Sequence, residues 1–534
     1  MTIRGLLARV GARGRNGVPG ALALGTALAG GLAATPAHAE WLEGKSPHFI
    51  VYANMSEGEM KVRVARLEKF DAALRGIFKV PGEDSTTIYV TRGTDEIRKL
   101  TGQQDVAGFY KGNAQGAVGF IPDTLGNDVI GLTAEQVMFH EYSHHILLSN
   151  ESAAYPGWMS EGLAELFSTM KFENDGSVVI GRPVLNRGSA MMGLNHWSAR
   201  RLLLSDTNPP SDDERIELYS RGWLLCHYLL ISGNRQGQIF AYIAAINKGT
   251  PPLEAAQAVF GDLGKLDSEL ETYLHRSSFP GTVIPADRIK ASTQVTLHKL
   301  TEGEAAIMPY RIASASGVDS TTAGPLAQKA HAVADRFTGD AFTQRALAEM
   351  DYDAGAYDLA DAEAERALAI DPANVMAMVY RGRVAAVRAV RTTGPDAEMR
   401  WKEARGWFLK ANRADPNHAL PFVLFYDSFV AAGDPVPDGA RVGLRRAAVL
   451  APADWSLRIR LAVMLIGEGD IPLARSLLVP MTTDAHASDR NPYIKLVQAI
   501  DSGADKTALA AKVKELKLGG MNEFTPLREK GKGG

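Results

Sequence analysis

Two histidines and a glutamate stand at the spacing that hydrolytic metal sites use: His140, Glu141 and His144, in the run HEYSH within a helical stretch. Residues four apart on an α-helix lie on one face, one turn apart, so both imidazoles can converge on a single cation. Glu141 points about 100° away around the helix, within reach of a water held by that cation without ligating it. With 12 histidines among 534 residues, such a pentapeptide arises by chance in roughly one or two chains per hundred, so it needs context. Glu161 supplies the context. It lies in WMSEGLAELF (158–167), a second helical stretch that carries two carboxylates, Glu161 and Glu165, one turn apart. Two histidines and a glutamate form a three-ligand zinc set with an open fourth position, as hydrolysis requires.

HEYSH followed by WMSEGLAELF resembles the gluzincin metallopeptidases, in particular the peptidase MA-like proteins whose second motif reads Trp-x-x-Glu-Gly-x-Ala-Glu; the likeness covers about residues 41–280. It implies an α+β zincin-like domain in which His140, His144 and Glu161 hold one Zn2+ per chain. Glu141 would then be the general base acting on a zinc-bound water. Glu165 would orient a ligand through a hydrogen bond. Related enzymes use a tyrosine or histidine to stabilise the oxyanion, and Tyr219, in LYSRGWLLCHY (218–228), is the candidate. The same position equally suits a buried tyrosine. Zinc aminopeptidases of this superfamily carry an acidic Gly-x-Met-Glu-Asn segment, whereas the Gly-rich stretch here, Gly112 to Phe120, contains no acid. An endopeptidase or a specialised hydrolase therefore fits better than an aminopeptidase. Asn113 and Gln115 in that stretch suit a turn, or an edge strand able to take extended peptide. His145 diverges from the ligand face, since neighbours on a helix do not face each other. His196, His227 and His275 have no partner at metal spacing.

The elements that must position these residues follow from pattern. His48–Ala53 and Thr86–Thr91 read as strands, and Glu57–Phe78 has helical apolar spacing. Ala107 to Pro122 reads as a hairpin or edge strand, and helices are predicted at roughly 133–148, 158–170, 214–232, 236–247 and 253–260. Thr133 and Gln136 are placed to cap the motif helix. A short sheet followed by helices is an α+β domain, set at 40–283. Residues 284–323 read as a connector containing a possible strand from Gln294 to Leu300. From 324 to 520 the chain is Ala-rich and repeats: Ala360, Ala367 and Pro372 have the spacing of Ala404, Ala411 and Pro416, and of Ala440, Ala447 and Pro452. This spacing resembles tetratricopeptide repeats, an all-α domain of paired helices, with an insertion around Thr392–Met399. An unrelated Ala-rich bundle is the other reading of the same pattern. Residues 521–534 read as a flexible tail.

The first 39 residues hold four arginines and no acid, then an apolar Gly/Ala-rich run and the small-residue box Ala37-His38-Ala39. They read as a secretory signal cleaved before Glu40, or kept as an anchor, and place the protein in the periplasm or outside the cell. Removing them changes the formal charge from −3 to −7, which excludes the basic footprint of a nucleic-acid binder. Cys226 is the single cysteine, so no internal disulfide forms, and its apolar neighbours make it a core residue. The expectation is an exported zinc metallopeptidase whose repeats recruit a protein or peptide substrate or a partner. The alternative is an inactive metallopeptidase-like scaffold whose repeats mediate envelope protein contacts.

Overall fold

The computed structural model describes residues 40–80, 85–104, 106–125, 131–149, 155–191, 197–204, 211–482, 491–518 and 524. The expected leader (1–39), His196, and the expected tail apart from Phe524 lie outside the described residues.

Strands β1 (Glu40–Lys45), β2 (Phe49–Met55), β3 (Thr86–Thr91), β4 (Phe109–Asn113) and β5 (Gly116–Pro122) form one mixed sheet. Strands β6 (Lys171–Phe172), β7 (Val178–Ile180) and β8 (Thr282–Ile284) make a small second sheet. Strand β9 (Thr296–Lys299) returns to the first, whose order is β4-β5-β3-β2-β1-β9. The sheet thus reaches beyond the boundary expected at 283. Residues expected as connector also include a helix, Glu302–Ser316, with Pro309 inside it. Strand β1 was hidden in the sequence, because EWLEGK carries one strongly apolar pair and no alternation to mark it.

Helix Glu57–Phe78 crosses over between the parallel strands β2 and β3. Its buried face (Met60, Val64, Leu67, Phe70, Leu74) meets Val51, Ile88, Phe139 and Tyr142 in one core. The hairpin β4–β5 stands at the edge of the sheet, and Asn113 Oδ1 closes its turn by accepting from the N–H groups of Gln115 (2.9 Å) and Gly116 (3.2 Å).

The C-terminal part is built of helix pairs: Ala341–Asp353 with Tyr357–Ile370, Val375–Val390 with Pro395–Ala414, and Ala419–Ala432 with Asp438–Leu450. Ala360, Ala367, Ala404, Ala411, Ala440 and Ala447 are each wholly buried, so the alanine spacing read from sequence is the spacing of helix–helix contacts. Small side chains there let neighbouring helices approach closely. The insertion around Thr392–Met399 is absorbed by lengthening the second pair to 16 and 20 residues. Phe524 is buried against Phe408 and Trp401, which ties the chain end back onto that pair.

The two parts are joined through the edge hairpin. Ala114 at its tip is buried among the core residues of the repeats, and its N–H donates to Asp454 Oδ2 (2.7 Å). Gln115 donates to Glu349 (3.2 Å) and Lys111 to the Ser316 carbonyl (2.8 Å). A Cβ on Gly112 would lie 2.8 Å from that of Ala453, so only glycine permits this approach. Asn113 and Gln115 form the turn anticipated for them, and the turn is docked on the repeats.

Candidate metal centre

The motif residues lie on helix Ala134–Ser149. Its start is capped as predicted: Gln136 N–H donates to Thr133 Oγ1 (3.1 Å) while Thr133 N–H donates to the Gln136 side chain (2.8 Å). One face enters the core through Val137, Phe139, Tyr142 and Ile146. Phe139 stacks on Phe70 at 4.0 Å between ring centroids, and Tyr142 OH donates to Asp71 (2.6 Å). These contacts fix the helix about its axis, and the opposite face then carries His140 and His144, both only slightly exposed. His145 turns away from them, is buried, and meets the hydroxyl of Tyr110 on β4 through Nδ1 at 2.7 Å.

Helix Gly157–Ser168 carries Glu161 and Glu165, both buried. It crosses helix Asp212–Ile231 at two glycines. A Cβ on Gly162 would lie 2.4 Å from the Gly222 carbonyl oxygen, and one on Gly222 would lie 2.5 Å from that of Trp158. This backbone contact lets Glu161 and Tyr219 approach the motif helix together.

The three ligand atoms converge. His140 Nε2 and His144 Nε2 are 3.2 Å apart, and Glu161 Oε2 lies 3.3 Å from the first and 3.5 Å from the second. A tetrahedral ion with bonds of about 2.0–2.1 Å has ligand–ligand edges of about 3.3 Å, so the triangle has the dimensions such an ion requires. Glu161 Oε2 is buried and makes no well-formed hydrogen bond, although two imidazole nitrogens face it. Three such donors facing one another have the chemistry to hold a cation. The electrostatics agree: burial opposes charge on His140, but Glu161, Glu165 and Glu141 outweigh it and raise its pKa to about 9. Burial likewise opposes charge on Glu161, and the two histidines still hold its carboxyl far below the usual carboxylate range.

Glu141 is on the same helix but outside the triangle. Burial raises its pKa, against the pull of the neighbouring histidines. Its Cγ lies beside Gly108 at the entrance to β4, where a Cβ would be 3.4 Å away. Tyr219 is brought to the site, with its ring centroid 6.0 Å from that of His140. The charge of Glu161, helped by burial, raises its phenol well above the ordinary value, so it stays protonated and able to donate.

Glu165 Oε1 is 3.9 Å from His140 Nδ1, too long for a hydrogen bond. Arg187 engages that same oxygen instead, through Nε (3.0 Å) and Nη2 (2.7 Å). Its guanidinium also lies 4.8 Å over the Tyr219 ring. Sequence reading missed Arg187, which sits on a short turn, Leu185–Arg187, at no motif spacing. It also missed Ser160, whose hydroxyl lies 3.4 Å from His144 Nδ1; a serine before the motif glutamate carries no signal of its own.

The remaining expected residues stay apart from the site. His227 is buried, bridging Gly181 O and Tyr273 OH at 2.9 Å each. Cys226 is buried in the core, and burial raises its thiol pKa far above the ordinary range.

About 40% of the chain, the C-terminal part, is similar in structure to tetratricopeptide-repeat proteins. A thermophilic member from Thermus thermophilus is 13% identical over 40% of this chain and 99% of its own, with a TM-score of 0.30. YrrB, described as a tetratricopeptide-repeat protein with an unusual peptide-binding site, is 23% identical over 36% of this chain and 94% of its own (TM-score 0.27). PilF of Pseudomonas aeruginosa is 17% identical over 41% and 93% (TM-score 0.31). No protein-family model and no curated protein matches the chain.

Proposed function

We propose that the protein is an exported zinc-dependent peptidase, an endopeptidase rather than an aminopeptidase. The observation that carries this reading is the triangle of His140 Nε2, His144 Nε2 and Glu161 Oε2, with edges of 3.2–3.5 Å, beside a half-buried glutamate that is not part of it. Bound there, the ion supplies Lewis-acid polarisation of the substrate carbonyl and an acidified water. Glu141 takes the proton of the attacking water and later delivers it to the leaving amine. The Tyr219 phenol donates to the oxyanion as charge develops. Arg187 holds Glu165 and the Tyr219 ring in place.

Extended substrate would add by its strand edge at the start of β4, beside Gly108 and Glu141, ahead of the residues that dock on the repeats. The repeats serve protein contacts, some of them already made to the edge hairpin. Among the described residues no helix is long and apolar enough to cross a membrane. Export rests on the N-terminal arginine, apolar and small-residue pattern.

The test is cleavage of an unfolded protein substrate by the purified chain, followed by mass spectrometry. The parent cuts internal bonds, and Glu141→Gln retains zinc but loses at least about a hundredfold in kcat. A zinc-loaded parent that cuts nothing would instead favour a scaffold, and an active Glu141→Gln variant would remove the assigned base.

A further inference from the structure

A second metal-ligand constellation lies outside the peptidase site, where the helix before the repeats meets the first repeat pair. His331 is on helix Ala323–Ala334, Asp351 on Ala341–Asp353 and Glu363 on Tyr357–Ile370. One ligand atom from each falls within 4.8 Å of the others. His331 Nε2 is 2.9 Å from Asp351 Oδ2 and 3.6 Å from Glu363 Oε1. Both carboxylates are at least nine-tenths buried, and Glu363 Oε2 is buried with no hydrogen-bond partner.

Glu363 lies in the helix interface between Ala360 and Ala367, both wholly buried. Its ion-pair partner among the arginines is the half-exposed Arg366, 3.5 Å from Oε1. Two buried carboxyl groups facing one imidazole need a positive charge between them, because an uncompensated buried carboxylate costs several kcal/mol. A proton or a metal ion can supply it. Burial and the Asp351 carboxylate favour a proton on Glu363, raising its pKa to about 9.

Burial lowers the His331 pKa, but hydrogen bonds to Asp335 and Asp351 raise it further, so the imidazole can also carry that proton; the surroundings of its far nitrogen fit an ion as well. His331 Nδ1 is held by Asp335 at 2.6 Å, leaving Nε2 directed at the two carboxyls. A carboxylate behind the second ring nitrogen is the outer-shell arrangement of metal-bound histidines. His331 is also about one-fifth exposed and Asp335 largely exposed, which leaves a route for an ion.

We propose that His331, Asp351 and Glu363 bind a divalent transition-metal ion, zinc or manganese, with Asp335 orienting His331. The ion fastens helix Ala323–Ala334 to the first helix pair of the repeats. One imidazole with two carboxylates suits either metal.

The experiment uses the full chain carrying His140→Ala and His144→Ala, so that the peptidase site contributes nothing whether or not its own assignment holds. Titration calorimetry with Zn2+ and with Mn2+ should show one equivalent of at least one ion, and the unfolding temperature should rise with its concentration. Adding His331→Ala should abolish both effects. Asp335→Asn should weaken binding about tenfold to a hundredfold. Asp351→Asn, nearly isosteric, replaces His331→Ala if the latter fails to fold, and should abolish binding likewise. No uptake of either ion, or uptake unchanged by His331→Ala and Asp351→Asn, would overturn the proposal and leave a shared proton between the carboxyl groups.

Discussion

Arg187 acts on the site without being close to the three ligands in sequence. Its two contacts to Glu165 Oε1 hold that carboxylate 3.9 Å from His140 Nδ1, and its guanidinium covers the Tyr219 ring. Removing the side chain releases a buried carboxylate beside the ligand and frees the phenol to move. We therefore expect Arg187→Ala to weaken zinc affinity by about tenfold, through loosened packing of Glu165 and Tyr219 around His140 rather than through a lost ligand hydrogen bond. Competition with a chromogenic chelator measures this, and an unchanged affinity would show that Glu165 holds its position unaided. At this scale the grouping of His140, His144 and Glu161, with Glu141 beside it, was legible in the sequence, because local spacing on two helices encodes it. Arg187 and Ser160 were not legible. Their roles depend on a chain crossing, and neither residue type marks it.

At the scale of elements, the motif helix is held by what lies beneath it. Tyr142 donates to Asp71 on helix Glu57–Phe78, Asp71 also pairs with Arg75 (2.6 Å), and His48 Nδ1 lies 2.9 Å from Glu68 and 3.5 Å from Asp71. The Glu68 hydrogen bond raises the His48 pKa above its ordinary 6.5, outweighing burial. A histidine whose folded pKa is raised adds stability that is complete below its unfolded value and is lost as pH rises through the folded one. The parent should thus lose more thermal stability between pH 6 and pH 8 than His48→Gln does. Melting curves at the two pH values decide it; equal losses would mean that His48 is not linked to folding. Helices 134–149, 157–168 and 212–231 were readable from apolar periodicity to within two residues. Strand β1 and the short strands β6 to β8 were not, since each is stabilised by distant partners rather than by its own pattern, whereas the capping box Thr301–Glu304 of helix Glu302–Ser316 was a local signal left unread.

The molecule as a whole is organised around the edge hairpin. One oxygen of Asp454 caps helix Trp455–Glu468 by accepting from Leu457 N–H (3.0 Å), and the other accepts from Ala114 N–H (2.7 Å). Arg458 on the same helix donates to the carbonyl of Leu148, near the end of the motif helix (2.5 Å). The repeats therefore grip both the edge strand and the helix that carries His140 and His144. Asp454→Ala removes a cap and a charge-assisted bond together and should destabilise the chain by about 2–4 kcal/mol. Denaturant unfolding followed by tryptophan fluorescence reads the change, and a loss below about 0.5 kcal/mol, the range of ordinary surface substitutions, would mean that the hairpin is not anchored there. The repeat spacing was visible in the alanines, but their union with the hairpin was not: Ala114 and Asp454 are 340 positions apart.

The proposed chemistry depends on His140, His144 and Glu161 holding one zinc ion. The most direct measurement is the zinc content, by elemental analysis, of the purified parent and of His144→Ala after equilibration with equal zinc and removal of the excess. One zinc fewer per chain is expected in the variant, with its fold retained by circular dichroism. Equal zinc contents in the two proteins, or none in either, would contradict it.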